Sequence, residues 1–466
     1  MVFSSLIFLY AFLPGTLLLY FAVPKPGKNL VLLVASLIFY AWGEPRYLPL
    51  ILVSILLGYG FGLAIEQFRG RRGARVFLVL SVVVSVGILA CFKYADFLLE
   101  TVNGLFRAKL PLWKLALPIG ISFYTFQILS YTIDLYRGTA AVQRNLLDFA
   151  TYVVLFPQLI AGPIVRYRDI ALELRNRKHK IAAACVGAER FVLGLGKKVL
   201  LANNLGLLCQ AYRATAEPSV LYAWLYAVSF TLQIYFDFSG YSDMAIGLGG
   251  ILGFHFPENF RYPYIATSIT EFWRRWHISL SSWFRDYVYI PLGGNRVGRP
   301  RWMWNILIVW SLTGLWHGAG WNFLAWGLLF ALLLMGEKLL WKGALERHPW
   351  FGHFYVLVWV ILSFVLFNAE SFSQAAADLG ALFGAGGLSL RSVEGLYMLR
   401  SNLILLLLAG LGATPLPKFL VQKVQASRVG ARILSGIQPL VIVILLLFST
   451  AYLVDGSFNP FLYFRF

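Results

Sequence analysis

Residues 76–93 read VFLVLSVVVSVGILACFK, eighteen positions carrying one charge, the closing Lys93. A helix of that length rises 1.5 Å per residue and nearly crosses the ~30 Å hydrocarbon layer of a bilayer. The run does not alternate polar with apolar residues, as the ~10-residue strands of a membrane barrel would. Comparable runs recur near 4–23, 29–43, 46–65, 111–134, 146–162, 188–208, 219–237, 303–316, 320–341, 352–368, 400–411 and 435–455. Several are too short to cross alone, and 303–316 reads either as continuous with 320–341 or as broken from it.

The composition agrees. Of 466 residues, 59% are apolar and 13% charged, and the mean hydropathy is +0.70. A soluble domain is about 45–50% apolar and ~25% charged. A soluble enzyme, a nucleic-acid binder and a disordered scaffold are therefore excluded, and an all-α polytopic membrane protein is expected. The net charge of +19 suits the cytoplasmic bias of Lys and Arg in membrane proteins better than a nucleic-acid partner. Cys91, Cys185 and Cys209 lack the spacing of a disulfide frame or a zinc site, so no metal is expected. The first run has no basic segment before it and no small-residue cleavage site after it, so it reads as a span. No connection is long enough for a soluble domain. One membrane-embedded domain, 1–466, is expected.

Basic loops give the orientation. Arg69, Arg71, Arg72 and Arg75 place 66–75 in the cytoplasm, which puts the N-terminus outside and Lys25 and Lys28 inside. Residues 166–180 and 418–432 are also basic. With 418–432 inside, the run at 435–455 leads outward and residues 456–466 are extracytoplasmic.

Residues 261–301, RYPYIATSITEFWRRWHISLSSWFRDYVYIPLGGNRVGRPR, differ from the rest: seven Arg stand against Glu271 and Asp286, interleaved with Trp and Tyr. The pattern predicts a helix over 268–285 with Thr270 as its N-cap. At helical spacing Trp273, His277, Leu280 and Phe284 share one face, and Arg274, Ile278, Ser281 and Arg285 another. Such a helix lies at the membrane surface, arginines outward and His277 inward. An interfacial anchor explains the Arg and Trp residues. It does not explain the histidine, which reads as a hydrogen-bonded core residue or as part of a site.

A second histidine shifts that balance. His317 lies in SLTGLWHGAGWNFLAWG, 311–327, with Trp310, Thr313, Gly314 and Trp321 on or near its face. Ionisable groups at membrane depth are costly and usually face a cavity or a pathway. Gly314, Gly318 and Gly320 are expected to leave room beside the ring. Two inward imidazoles, kept neutral by desolvation, are able to accept a proton near neutral pH. The arginines suit the phosphates of a large anionic cofactor. Of the other histidines, His255 reads as structural, and His179, His348 and His353 lie in polar stretches. Asp237, Ser239 and Asp243, in YFDFSGYSD, are placed near a helix break, where binding a cation, lining a cavity, capping and packing all remain open. Gly58, Gly60 and Gly62, in LLGYGFGLA, read as close-packing positions.

The 261–296 stretch, followed by GLWHGAGWNFLAWG, resembles the membrane-bound O-acyltransferase family. LPIGISFYTFQILSYTIDLYRG at 117–138 and LFPQLIAGPIVRYRD at 155–169 resemble its bacterial branch. The resemblance covers nearly the whole chain. It implies a ring of tilted transmembrane helices around a central catalytic tunnel, with interfacial amphipathic helices, in a bacterial inner membrane. It implies His317 as the family's essential histidine and His277 as its second polar position. The implied activity takes an acetyl group from cytoplasmic acetyl-CoA, with Arg274, Arg275, Arg285 and Trp273 holding the donor. The acetyl group is destined for an exopolysaccharide such as alginate, through a periplasmic lipase-like O-acetyltransferase or another acceptor protein. Peptidoglycan O-acetylation and D-alanyl transfer are the alternatives within the family. A secondary transporter and a non-catalytic assembly platform are the alternatives outside it.

Two mechanisms fit this expectation. In one, His317 is the base for direct attack of an acceptor hydroxyl on the thioester. In the other, a residue of this chain takes the acetyl group first. NPFLYFRF, 459–466, resembles the terminal motif of the small partner protein in the D-alanyl system, which makes Tyr463 the relay candidate. An aromatic membrane belt is the structural alternative for that segment.

Overall fold

The structure, a computed structural model, describes residues 2–456, 459 and 462. Every regular element among them is helical. Seven helices are long and apolar enough to cross a membrane, and a bent pair, Val393–Ser401 and Leu403–Gly412, makes an eighth if its 55° break is counted within one span. The chain is therefore a multi-pass helical membrane protein.

Two compact units form. The first comprises Met1–Phe191 and Asp243–Glu258. It holds Lys28–Gly43 (α1), Leu48–Gln67 (α2), Arg72–Phe106 (α3) and Ile121–Arg137 (α4). The run at 76–93 sits inside α3. Helices α2 and α4 approach closely at two of the three expected glycines, whereas Gly60 faces open space, with nothing within 4 Å of where its Cβ would stand. A Cβ on Gly58 would stand 2.8 Å from Ile128, and one on Gly62 2.6 Å from Tyr131.

Three of the expected spans take other forms in this unit, and the first, at 4–23, is a helical stretch over Phe8–Ala22 that is shorter than the candidate crossings. The run at 111–134 becomes irregular chain before α4. Pro111 and Pro118 deny the backbone helical hydrogen bonds there, and Arg107 and Lys114 adopt positive φ. The run at 146–162 ends as a helix at Val154, just before Phe156-Pro157.

The second unit comprises Val192–Ser242 and Asn259–Phe466. Its elements include Val220–Leu252 (α5), whose first two-thirds belong to this unit, Ile269–Arg275 (α6), Ile278–Phe284 (α7), Arg299–His317 (α8), Trp321–Gly336 (α9), Pro349–Asn368 (α10) and Arg428–Asp455 (α11). The run at 219–237 does not stop where a break was expected: α5 continues through Asp237, Ser239 and Asp243. Its carboxylates are neutralised within each unit. Lys198 pairs with Asp237 at 2.6 Å, and Arg190 bonds both Asp243 and Glu258. The run at 303–316 is broken from 320–341 by a turn at Gly318–Gly320, and α8 and α9 form an antiparallel hairpin. That hairpin, with α10, carries the site.

Candidate active site

The expected single helix over 268–285 is two short helices. Ser268, not Thr270, caps the first, its hydroxyl accepting the Glu271 N–H at 3.0 Å. The Glu337 carboxylate, buried on the element after α9, accepts the N–H groups of Ile269 and Thr270 and the Thr270 hydroxyl. A buried anion at a helix N-terminus satisfies donors the helix cannot, and it fixes where α6 begins.

The break falls at His277, which adopts φ 44°, ψ 54°. Asn259 causes it. Its backbone carbonyl accepts the Ile278 N–H at 3.0 Å, and its side-chain oxygen accepts the Ser279 hydroxyl at 2.8 Å and lies 3.1 Å from His277 Nδ1. Its amide donates to Ser242 Oγ at 3.0 Å. One asparagine thus takes donors that helical continuation would have used. A proton on His277 Nδ1 then points at Asn259, leaving Nε2 as the acceptor nitrogen. His277 is fully buried, with 0% exposure, against Phe238 at 4.7 Å between ring centroids. It lies outside the candidate spans. Burial first, then the charge of a nearby imidazolium at His317, hold its pKa well below the ordinary histidine value.

His317 ends α8 and is 6% exposed. Three aromatic rings stand edge-on to it: Trp316 at 4.9 Å, Trp326 at 5.2 Å and Phe367 at 5.3 Å. Trp316 also lies 5.7 Å from the His277 ring, so one indole contacts both imidazoles. A small cavity of about 20 Å³ opens beside His317, lined by Asp237, Phe238, Trp276, Trp326, Phe367 and Leu462 among others. That volume holds about one water molecule.

The glycines do not supply this room, contrary to the sequence expectation. A Cβ on Gly314 would meet the Phe323 carbonyl at 2.3 Å, one on Gly327 the Trp310 carbonyl at 2.3 Å, and one on Gly318 the Phe323 ring at 2.1 Å. They let α8 and α9 touch, and that contact fixes the hairpin carrying His317.

The four expected donor-binding residues are placed differently from one another. Trp273 is buried between Trp310 at 4.6 Å and Phe330 at 4.9 Å. Arg275 forks onto Glu271 at 2.9 and 2.7 Å, and Arg285 bonds Asp286 at 2.7 Å. Arg274 is exposed and lines a larger polar cavity of about 690 Å³, with Lys338, Lys342, Glu271 and Asn295 on its walls. The same walls carry three carboxylates, Glu271, Glu337 and Glu346, of which Glu271 is held by Arg275 and Glu337 by the start of α6.

Tyr463 lies outside the described residues. The nearest described ones are placed firmly. Asn203 donates to the Asn459 side chain at 3.2 Å, and the Leu462 N–H donates to Asp237 Oδ2 at 2.9 Å. Leu462 itself lines the His317 cavity.

The sequence reading missed Asn259, Glu337, Trp316 and Lys198 as contributors. Lys198 carried a usable signal: it is an intramembrane charge in VLGLGKKVLL, and such charges seek partners. The other three act through bonds or ring contacts that no local pattern announces.

The site's residues from Lys198 to Phe367 lie within residues 138–375, which match the membrane-bound O-acyltransferase family. The chain belongs to that family. A probable alginate O-acetylase of Pseudomonas putida is 41% identical to it over 100% of both chains. A peptidoglycan O-acetyltransferase of Helicobacter pylori is 35% identical over 84% of this chain and 81% of that relative. A teichoic acid D-alanyltransferase of Bacillus subtilis is 29% identical over 46% of this chain and 58% of its own length. This membrane-bound O-acyltransferase is thus an enzyme, and the paired imidazoles lie in its matched region.

Proposed function

We propose that the chain, as one membrane-embedded domain, moves an acetyl group from cytoplasmic acetyl-CoA across the bacterial inner membrane for O-acetylation of an exopolysaccharide, alginate being the first candidate. The observation that carries this is that Trp316 contacts both buried imidazoles, one of which, His317, lines a small cavity. Full-length similarity to a probable alginate O-acetylase favours alginate over peptidoglycan or D-alanyl transfer. A periplasmic lipase-like O-acetyltransferase or similar protein delivers the group to the polymer.

His317 acts as general base, a role worth 10²–10⁴ in rate. The Asn259-bound His277 and the shared Trp316 hold the imidazole pair in place. Arg274, with Lys338 and Lys342, binds donor phosphates. Trp273, Arg275 and Arg285 shape the same segment through the contacts described above.

Leu462, which lines the His317 cavity and donates its N–H to Asp237, supports the relay over direct transfer. In the relay, the Tyr463 oxygen attacks the thioester carbonyl as His317 takes the phenol proton. The C–S bond breaks, and the proton passes to the departing thiolate. The phenyl ester then yields its acetyl group to an acceptor hydroxyl outside, which regenerates the phenol. The proposed topology, with residues 456–466 and the N-terminus extracytoplasmic, brings this end of the chain to the acceptor protein.

The experiment is acetyl transfer from labelled acetyl-CoA in proteoliposomes, read by intact mass and by acetyl content of alginate in a strain lacking its own subunit. His317→Ala should abolish transfer, and Tyr463→Phe should remove an acetyl adduct on the chain. An undiminished His317→Ala enzyme overturns the assignment. An adduct that survives Tyr463→Phe overturns the relay alone.

A further inference from the structure

The Lys198–Asp237 pair has no place in the chemistry above, yet it sits at the centre of the site. Both side chains are 3% exposed, and Nζ lies 2.6 Å from Oδ1. Burying two charges costs several kcal/mol each, and an apolar pair of similar volume often stabilises a fold as well or better. Helix packing does not require the pair either. One turn away, Gly240 already brings α5 against the preceding helix run, where a Cβ would meet the Gly194 carbonyl at 2.7 Å.

The two carboxylate oxygens divide their partners. Oδ1 faces Lys198, whereas Oδ2 accepts the Leu462 N–H at 2.9 Å. Asp237 lines the His317 cavity, and its neighbour Phe238 stands against His277. Asn203, five residues beyond Lys198, holds Asn459 at 3.2 Å. Leu462 is 7% exposed among the aromatic side chains of the same core.

We propose that the buried Lys198–Asp237 pair is the seat that fixes Leu462, beside the Asn203-bound Asn459, against the His317 cavity, so that Asp237 positions the acyl-accepting segment. Lys198 occupies Oδ1, which fixes the carboxylate so that Oδ2 faces the Leu462 N–H. The positioning role rests on the proposed acetyl transfer; the seat itself does not.

The test uses the full chain in native membranes, with Cys91, Cys185 and Cys209 replaced by alanine and Asn459→Cys as reporter for a membrane-permeant maleimide. In an otherwise unchanged chain, labelling should be slow. Lys198→Leu with Asp237→Leu removes the seat without leaving one buried charge. Leu462→Pro removes the donated N–H together with the leucine side chain and leaves the helices untouched, and Leu462→Ala, which keeps the N–H, is its control. The double variant and Leu462→Pro should each raise the labelling rate at least tenfold, and the control should not. An unchanged rate in Leu462→Pro, or an equal rise in the control, overturns the seat, whether or not the double variant folds.

In the parent chain with Asn459 retained, Leu462→Pro should lower kcat for acetyl transfer at least tenfold and leave KM for acetyl-CoA within twofold. A raised kcat would make the segment an obstruction, and the positioning role would fall. Absence of any transfer by the unsubstituted enzyme would refute the acetyl-transfer reading and leave the labelling result to judge the seat.

Discussion

His277 and His317 are the same residue type, both nearly or fully buried, and they are held in opposite ways. His277 is bound by polar groups: Asn259 at 3.1 Å, with Ser279 on the same oxygen, at a backbone break that it occupies itself. His317 is held by ring edges at the end of a regular helix, beside a cavity. A polar clamp fixes a ring's orientation and commits one nitrogen. An aromatic box fixes position by packing, here beside a cavity that holds about one water molecule. The proposal that His317 transfers the proton and His277 supports it rests on this difference.

The largest test of that difference is His317→Ala. Loss of a general base should lower kcat by about 10³-fold, measured as acetyl transfer in proteoliposomes. The melting temperature in detergent should shift by only a few degrees, because the ring is packed by apolar edges that relax around a void. If His317→Ala keeps a tenth or more of the activity, the imidazole is structural and the comparison fails.

His277 should respond more weakly, and its two substitutions should separate. Asn tolerates positive φ and has polar atoms to replace those of the ring, so His277→Asn should cost roughly 10–100-fold in kcat with near-native stability. Ala at φ 44° strains the turn and strips a bond from Asn259, which together cost about 2–4 kcal/mol. Equal stability of the two variants would show that the clamp carries no structural load.

Arg274 and Arg275 offer a smaller version of the same contrast. Arg275 is forked onto Glu271, whereas Arg274 faces the polar cavity. Arg274→Ala should raise KM for acetyl-CoA about fivefold, the equivalent of ~1 kcal/mol for an exposed ionic contact. The shift should shrink in high salt. Arg275→Ala should lower melting temperature more than it changes KM. A reversal of the two effects would move the donor site away from Arg274.

What could be read beforehand follows from the range of the interactions. The runs at 29–43, 46–65, 352–368 and 435–455 correspond to helices because length and hydropathy are local properties. The inward burial of His277 followed from its apolar neighbours. The break that gives the ring its orientation did not, because Asn259 imposes it from eighteen positions earlier. Asp237 looked like a helix breaker until Lys198, far back in the sequence, neutralised it. Gly314 and Gly318 were misread because spacing identifies a small residue but not the carbonyl or ring that needs the space. Local periodicity located the site's residues, and side chains distant in sequence decided their geometry.

The smallest expected effect is the pH dependence that the clamped histidine contributes. His277 is held neutral in the fold, below an unfolded value near 6.5. As pH falls through 6.5, the unfolded chain takes up a proton that folded His277 refuses. Stability therefore falls with decreasing pH, at a slope approaching 1.36 kcal/mol per unit. Between pH 6.5 and 5.5 the loss should be about 1 kcal/mol, which in a chain of this size is a shift of roughly one or two degrees in melting temperature. His277→Asn has no such proton to exclude, so its curve should be flatter by that amount. All other histidines are common to both proteins and cancel in the difference. If the two curves run parallel, folded His277 takes up the proton as readily as the unfolded chain does, and a polar clamp that commits its Nδ1 does not keep the ring neutral.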